Sequence, residues 1–169
     1  MKYFLPLIAL GTLFISSCSP LEVEGPSGSS STLTRLAIYN FDVNVAHVEG
    51  QDNFAEFTDS DSTIILQITR TDDPDIGVSG DEFFQTVYIV VPDSLTELQL
   101  SGDEWDNVKS FAFTNREQVL APVGRVTGGS LSGLRLLIDN SWELQGEIEV
   151  SESFGTSFPT DMTGIYSSR

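Results

Sequence analysis

Hydrophobic and polar residues alternate along most of this chain, and the alternation has the period of a strand. From Tyr39 onward, Tyr39, Phe41, Val43 and Val45 interleave with Asn40, Asp42 and Asn44. A period of two puts each set on its own face, the signature of a half-buried strand. Gln51-Asp52-Asn53 reads as a turn and Phe54 to Phe57 as a short return. Thr63 to Arg70 makes a further strand, with Ile64, Leu66 and Ile68 facing one way. Thr71 to Gly77 reads as a loop from its Asp, Pro and Gly content. Phe83 to Val91 is apolar almost throughout, which predicts a central strand buried on both faces. Pro92 ends it.

Leu95 to Leu100 and Val108 to Phe113 predict shorter strands. Ser101 to Glu104 and Thr114 to Glu117 each have the spacing of a capping box, enough to start a turn or two of helix. Ser132 to Ile138 and Trp142 to Val150 predict a hairpin around Asp139-Asn140-Ser141. Its second strand turns Trp142, Leu144, Ile148 and Val150 inward and Glu143, Gln145, Glu147 and Glu149 outward. Gly146 interrupts the inward row, as at a bulge or close backbone contact. A last strand includes Met162 to Tyr166. No long segment keeps helical spacing. The pattern therefore predicts an all-β fold: an antiparallel sandwich of about eight or nine short strands, or alternatively a small antiparallel barrel.

Residues 19–32 break the pattern. They are rich in Ser, Gly and Pro and read as a flexible tether, with the β-rich domain at 33–169. Before the tether, Lys2 is followed by an uncharged, mostly apolar run from Tyr3 to Ile15, then two small residues and Cys18. A basic start, a short apolar run and a small-residue cleavage site describe a secretory signal over residues 1–17. Ile15-Ser16-Ser17-Cys18 resembles the lipobox of bacterial lipoprotein precursors. The resemblance implies a diacylglyceryl group on the Cys18 thiol, cleavage before Cys18, and an acyl chain such as palmitate on the new amino group. Two or three chains make a lasting anchor where one is marginal. Ser19 stands where enteric lipoproteins kept at the inner membrane carry aspartate, so the resemblance leans to the outer membrane of the envelope. With Cys18 lipidated, no thiol is left for a disulfide or for thiol chemistry, because it is the only cysteine.

Charge narrows the partners. The chain has 25 acidic and 8 basic residues, a formal charge of −17, and loss of Lys2 makes it one unit more negative. Nucleic acid is excluded, because its binding rests on Lys and Arg neutralising phosphates. Acidity with scarce lysine also suits salty surroundings, where ions screen self-repulsion.

Catalytic motifs are poorly supported. His47 is the only histidine, so no multi-histidine zinc site forms within one chain. Gly128 to Gly133 has the wrong spacing for a nucleophile elbow, with Leu131 at its centre. It reads as a flexible turn. Asp72, Asp73 and Asp75 are the metal candidates, as carboxylates of an irregular calcium loop. Trp105, among Asp103, Glu104 and Asp106, is either a plug at the sandwich edge or a stacking platform for a glycan. The expectation is a non-catalytic structural or protein-interaction module of the envelope, with a surface glycan- or calcium-binding module as the alternative.

Overall fold

A computed structural model describes residues 30–47, 54–73, 83–115, 123–151 and 157–169. The signal, Cys18 and Asp75 lie outside them. Nine strands account for most of the described chain. They are β1 (Ser30–Ala46), β2 (Phe54–Asp73), β3 (Phe83–Pro92), β4 (Glu97–Ser101), β5 (Lys109–Asn115), β6 (Val123–Leu136), β7 (Ser141–Ser151), β8 (Ser157–Asp161) and β9 (Gly164–Ser168). One short 3-10 helix, Gly102–Asn107, joins β4 to β5. The all-β prediction holds.

Neighbours run β4-β6-β5-β3-β2-β1-β9-β7-β8, and β6 also pairs with β7. That last pairing closes a ring through β6, β5, β3, β2, β1, β9 and β7, with β4 and β8 added outside it. The ring is flattened into two layers. β1, β2, β3 and β5 form one; β4, β6, β7 and β8 form the other. Sandwich and barrel are thus two descriptions of one object here. All pairings are antiparallel except β1 with β9, where Leu36 faces Ser167 and Ala37 faces Ser168.

The main core fills the space between the layers. Ile64, Leu66, Ile68, Val87 and Ile89 from one side meet Leu131, Trp142, Leu144, Ile148 and Val150 from the other. The predicted inward row of β7 is therefore real. β3 is central and buried on both faces from Gln85 to Ile89, as its apolar run implies. Gly146 has φ +142, and a Cβ there would collide with the Ser130 carbonyl, so the gap in the row is a close backbone contact.

Several boundaries differ from the prediction. β1 starts at Ser30, so the tether's last three residues are strand; Ser30 to Thr32 pair with Asp73 to Thr71. The short return at Phe54 and the strand at Thr63 are one continuous strand, β2. Gly128 to Gly133 is strand rather than turn. β6 there pairs with β7 along its length, with a bulge between Val126 and Gly128. The last strand divides into β8 and β9 around Met162.

The largest departure is a third layer. Register along β1 and β2 jumps from Tyr39↔Ile64 to Phe41↔Asp59. Asn40 sits at the jump with φ 62, a left-handed conformation that Asn tolerates better than most residues. Beyond it, residues 41–46 and 54–59 form a hairpin arm that crosses the outer face of the first layer. Val43 is fully buried there against Ile65, Tyr88, Phe111 and Phe113. Phe57 meets Tyr88 edge-on at 5.9 Å, and Tyr88, Phe111 and Phe113 pack on one another at 5.3–6.1 Å. Tyr39 and Val43 thus serve two different cores, and the single face predicted for Tyr39 to Val45 is broken at Asn40.

Candidate functional site

Of the predicted site residues, the structure describes the Asp72 and Trp105 side chains, while Asp75 lies outside the described residues. Asp72 and Asp73 are strand residues at the end of β2, not a loop. Asp72 is also engaged: Arg70 Nε lies 2.6 Å from Oδ2, and Ser31 Oγ donates to Oδ1 at 2.6 Å. Among the described residues no group of three His, Cys, Asp or Glu is arranged to hold a metal. Trp105 is in the core, 3% exposed, and its Nε1 donates to the Gly129 carbonyl at 3.2 Å. Its ring offers no face for stacking, so it is the edge plug and not the glycan platform. The neighbouring Glu104 caps the 3-10 helix, its carboxylate accepting from Ser101 N at 2.8 Å and Ser101 Oγ at 3.2 Å. His47 follows β1 and is exposed.

Two other regions have the character of sites. The first is the turn between β6 and β7. Leu137 is 74% exposed and Ile138 fully so, and Leu134 and Ile165 stand exposed nearby on the outer face. Leu134, Glu143 and Ile165 lie in one cross-strand row. Leu137 and Ile138 bury little or nothing on folding, so they add little to the stability of the isolated molecule. The turn beneath them is held firmly. Arg135 donates to the Asp93 carbonyl at 2.7 Å, pairs with its carboxylate at 3.1 Å, and donates to Asn140 Oδ1 at 3.3 Å. Its guanidinium lies over the Tyr39 ring, 4.9 Å from the centroid, and the Tyr39 hydroxyl donates to the Asn140 carbonyl at 2.5 Å. Asp139 accepts from Ser141 Oγ at 2.7 Å and Ser141 N at 3.0 Å, bonds that hold its pKa below the usual carboxylate range. The strand signal for this site is in the sequence: Leu136-Leu137-Ile138 is too long an apolar run for a half-buried strand end.

The second region is the opposite end of the layers. Leu33, Arg70, Gln85 and Thr114 form one cross-strand row on the inner face of the first layer. Across from it, Thr160 Oγ1 donates to Gln85 Oε1 at 3.3 Å. Gln85 and Thr114 are buried, yet Gln85 Nε2 and Thr114 Oγ1 have no hydrogen-bond partner among the described residues. A cavity of about 220 Å³ opens here, lined by Ser31, Leu33, Ile68, Arg70, Gln85, Thr160 and Asp161. Asp161 accepts from Thr163 N at 2.9 Å, which with the field of Arg35 holds its pKa low. Gln85 lies inside the apolar run that made β3 look purely structural, which hid it from a reading by hydropathy.

Comparison with protein families, curated proteins and solved structures returns no match.

Proposed function

We propose that this protein is a lipid-anchored component of a bacterial cell envelope, held at the outer membrane through Cys18, which acts as a non-catalytic protein-interaction module. One observation chiefly supports the interaction role: Leu137 and Ile138 are exposed on a rigidly braced turn at the end of the domain remote from the tether. Ser30 leads into β1, and Tyr39 touches the turn at Asn140. That length of strand spans about 30 Å at about 3.3 Å per residue. The apolar tip thus lies about 30 Å from the point where the tether meets β1. A pre-ordered apolar tip loses little conformational entropy on docking, which favours partner binding.

The two halves of the proposal are tested separately. Cys18→Ala removes the acyl attachment, so the protein leaves the membrane fraction and takes up no labelled palmitate. Continued sedimentation with membranes ends the anchoring reading. For the tip, a photo-crosslinking residue at Ile138 gives a discrete adduct in intact cells, while the same residue at Glu147 does not. Equal labelling at both positions, or none at Ile138, ends the interaction reading.

A further inference from the structure

We infer that the cavity between Gln85 and Thr160 is a binding site for one neutral sugar ring. This site is independent of the apolar tip and of the anchor. Four observations define the ligand class.

Burial comes first. A buried amide without a partner costs about 1–3 kcal/mol, so natural interiors rarely keep one. Gln85 is 97% buried, its Oε1 is held by Thr160, and its Nε2 has no acceptor among the described residues. Thr114 Oγ1, next along the same row, is in the same state. Of the buried polar atoms without a hydrogen-bond partner among the described residues, Gln85 Nε2 is the one whose residue lines the cavity.

Size comes second. About 220 Å³ equals roughly seven water volumes of about 30 Å³ each, and is smaller than the roughly 300–1,000 Å³ of drug-sized pockets. One ring of sugar size fits; an oligosaccharide does not enter whole.

Charge is third. Among the described residues lining the cavity the one cation, Arg70, is paired with Asp72 at 2.6 Å, and Asp161 already accepts one backbone hydrogen bond from Thr163. The chain as a whole carries −17, which repels anions. A neutral ligand meets neither obstacle.

Bonding type is fourth. Gln85 Nε2 only donates and a carboxylate only accepts. A hydroxyl does both, so hydroxyls on one ring suit Gln85 on one side and Asp161 on the other. Leu33 and Ile68 give the ring's C–H face an apolar wall.

The test uses the full-length chain, ¹⁵N-labelled, in detergent micelles. Glucose, galactose and N-acetylglucosamine are titrated separately while the Gln85 side-chain amide signals are followed. At least one sugar shifts them saturably, with Kd of about 1 mM. Gln85→Leu, and independently Gln85→Met should the first variant not fold, weakens that binding by about tenfold or more with the backbone spectrum retained. Three outcomes overturn the inference. No sugar shifts the Gln85 amide, which leaves the cavity to ordered water. Binding survives both substitutions unchanged. Or glucuronate binds more tightly than any neutral sugar, which removes the argument from charge.

Discussion

The Lys109 ammonium donates to both carboxylate oxygens of Asp42 at 2.8 Å, tying β5 to the hairpin arm just beyond its left-handed Asn40. The same ammonium donates to Asn44 Oδ1 at 2.7 Å. Lys109 and Lys2 are the only lysines in the chain, so this arm rests on a scarce residue. The pair is partly exposed, at 40% and 31% of the two side chains, and water and salt weaken it. Lys109→Met is expected to cost about 0.5–1 kcal/mol at low salt and less at high salt. Urea midpoints at two salt concentrations check this; an unchanged difference would assign the effect to packing of the lysine stem.

Ile64 and Ile65 are adjacent, point to opposite faces, and are both fully buried. A sandwich of two layers leaves one of such a pair in water. With the arm docked as a third layer, Ile64→Ala and Ile65→Ala each cost about 2–5 kcal/mol in urea unfolding. A neutral Ile65→Ala would mean that the arm does not cover the outer face in solution.

Gly146 and Gly102 separate space from backbone strain. Both have positive φ, +142 and +52, but only at Gly146 does a Cβ strike backbone; around Gly102 nothing lies within 4 Å. Gly102→Ala therefore costs about 1–2 kcal/mol. Gly146→Ala costs more, because the β6–β7 ladder at Ser130 must also move. Thermal unfolding of the two variants side by side measures the gap, and equal losses would contradict the close contact.

Burial pushes the Tyr166 hydroxyl well above its ordinary pKa, and that hydroxyl donates to the Met162 carbonyl at 3.0 Å. Burial raises Tyr88 too. A folded-state pKa above the unfolded value of about 10 means the stabilisation is complete below that pH and is lost as pH rises beyond it. Stability is expected to fall above about pH 10. Tyr166→Phe makes that fall shallower while costing about 1 kcal/mol at neutral pH through the lost hydrogen bond. Unfolding by urea across an alkaline pH series decides it; an identical slope in the variant would show that Tyr166 does not titrate with unfolding.

Alternation alone was enough to find the strands that bury one face, such as β7, where Trp142, Leu144, Ile148 and Val150 fall inward as their spacing requires. It failed where the chain changes partner surface without changing period. Nothing in the run from Tyr39 to Val45 distinguishes a strand that stays in its sheet from one that leaves it at Asn40. Only the left-handed residue and the extra residues Ser60 to Thr63 on the facing strand make the turn. Two conspicuous residues take on structural work for a related reason. Asp72 and Trp105 were conspicuous by type, but Asp72 is taken up by Arg70 and Ser31 and a 3-10 helix tucks the indole inside. Gln85 was inconspicuous because eight apolar or hydroxyl-bearing neighbours in FFQTVYIVV mask one amide.

The β1–β9 pairing has a kinetic side. It joins Leu36 and Ala37 to Ser167 and Ser168, residues far apart along the chain, and it is a parallel contact with no hairpin to nucleate it. Pairings between such distant segments form late, because the loop must be closed before any bond rewards the closure. Until β9 arrives, β1 and β7 present open edges able to template pairing with other chains. Truncation before Gly164 should therefore show itself less as lost secondary structure than as slow, aggregation-prone refolding.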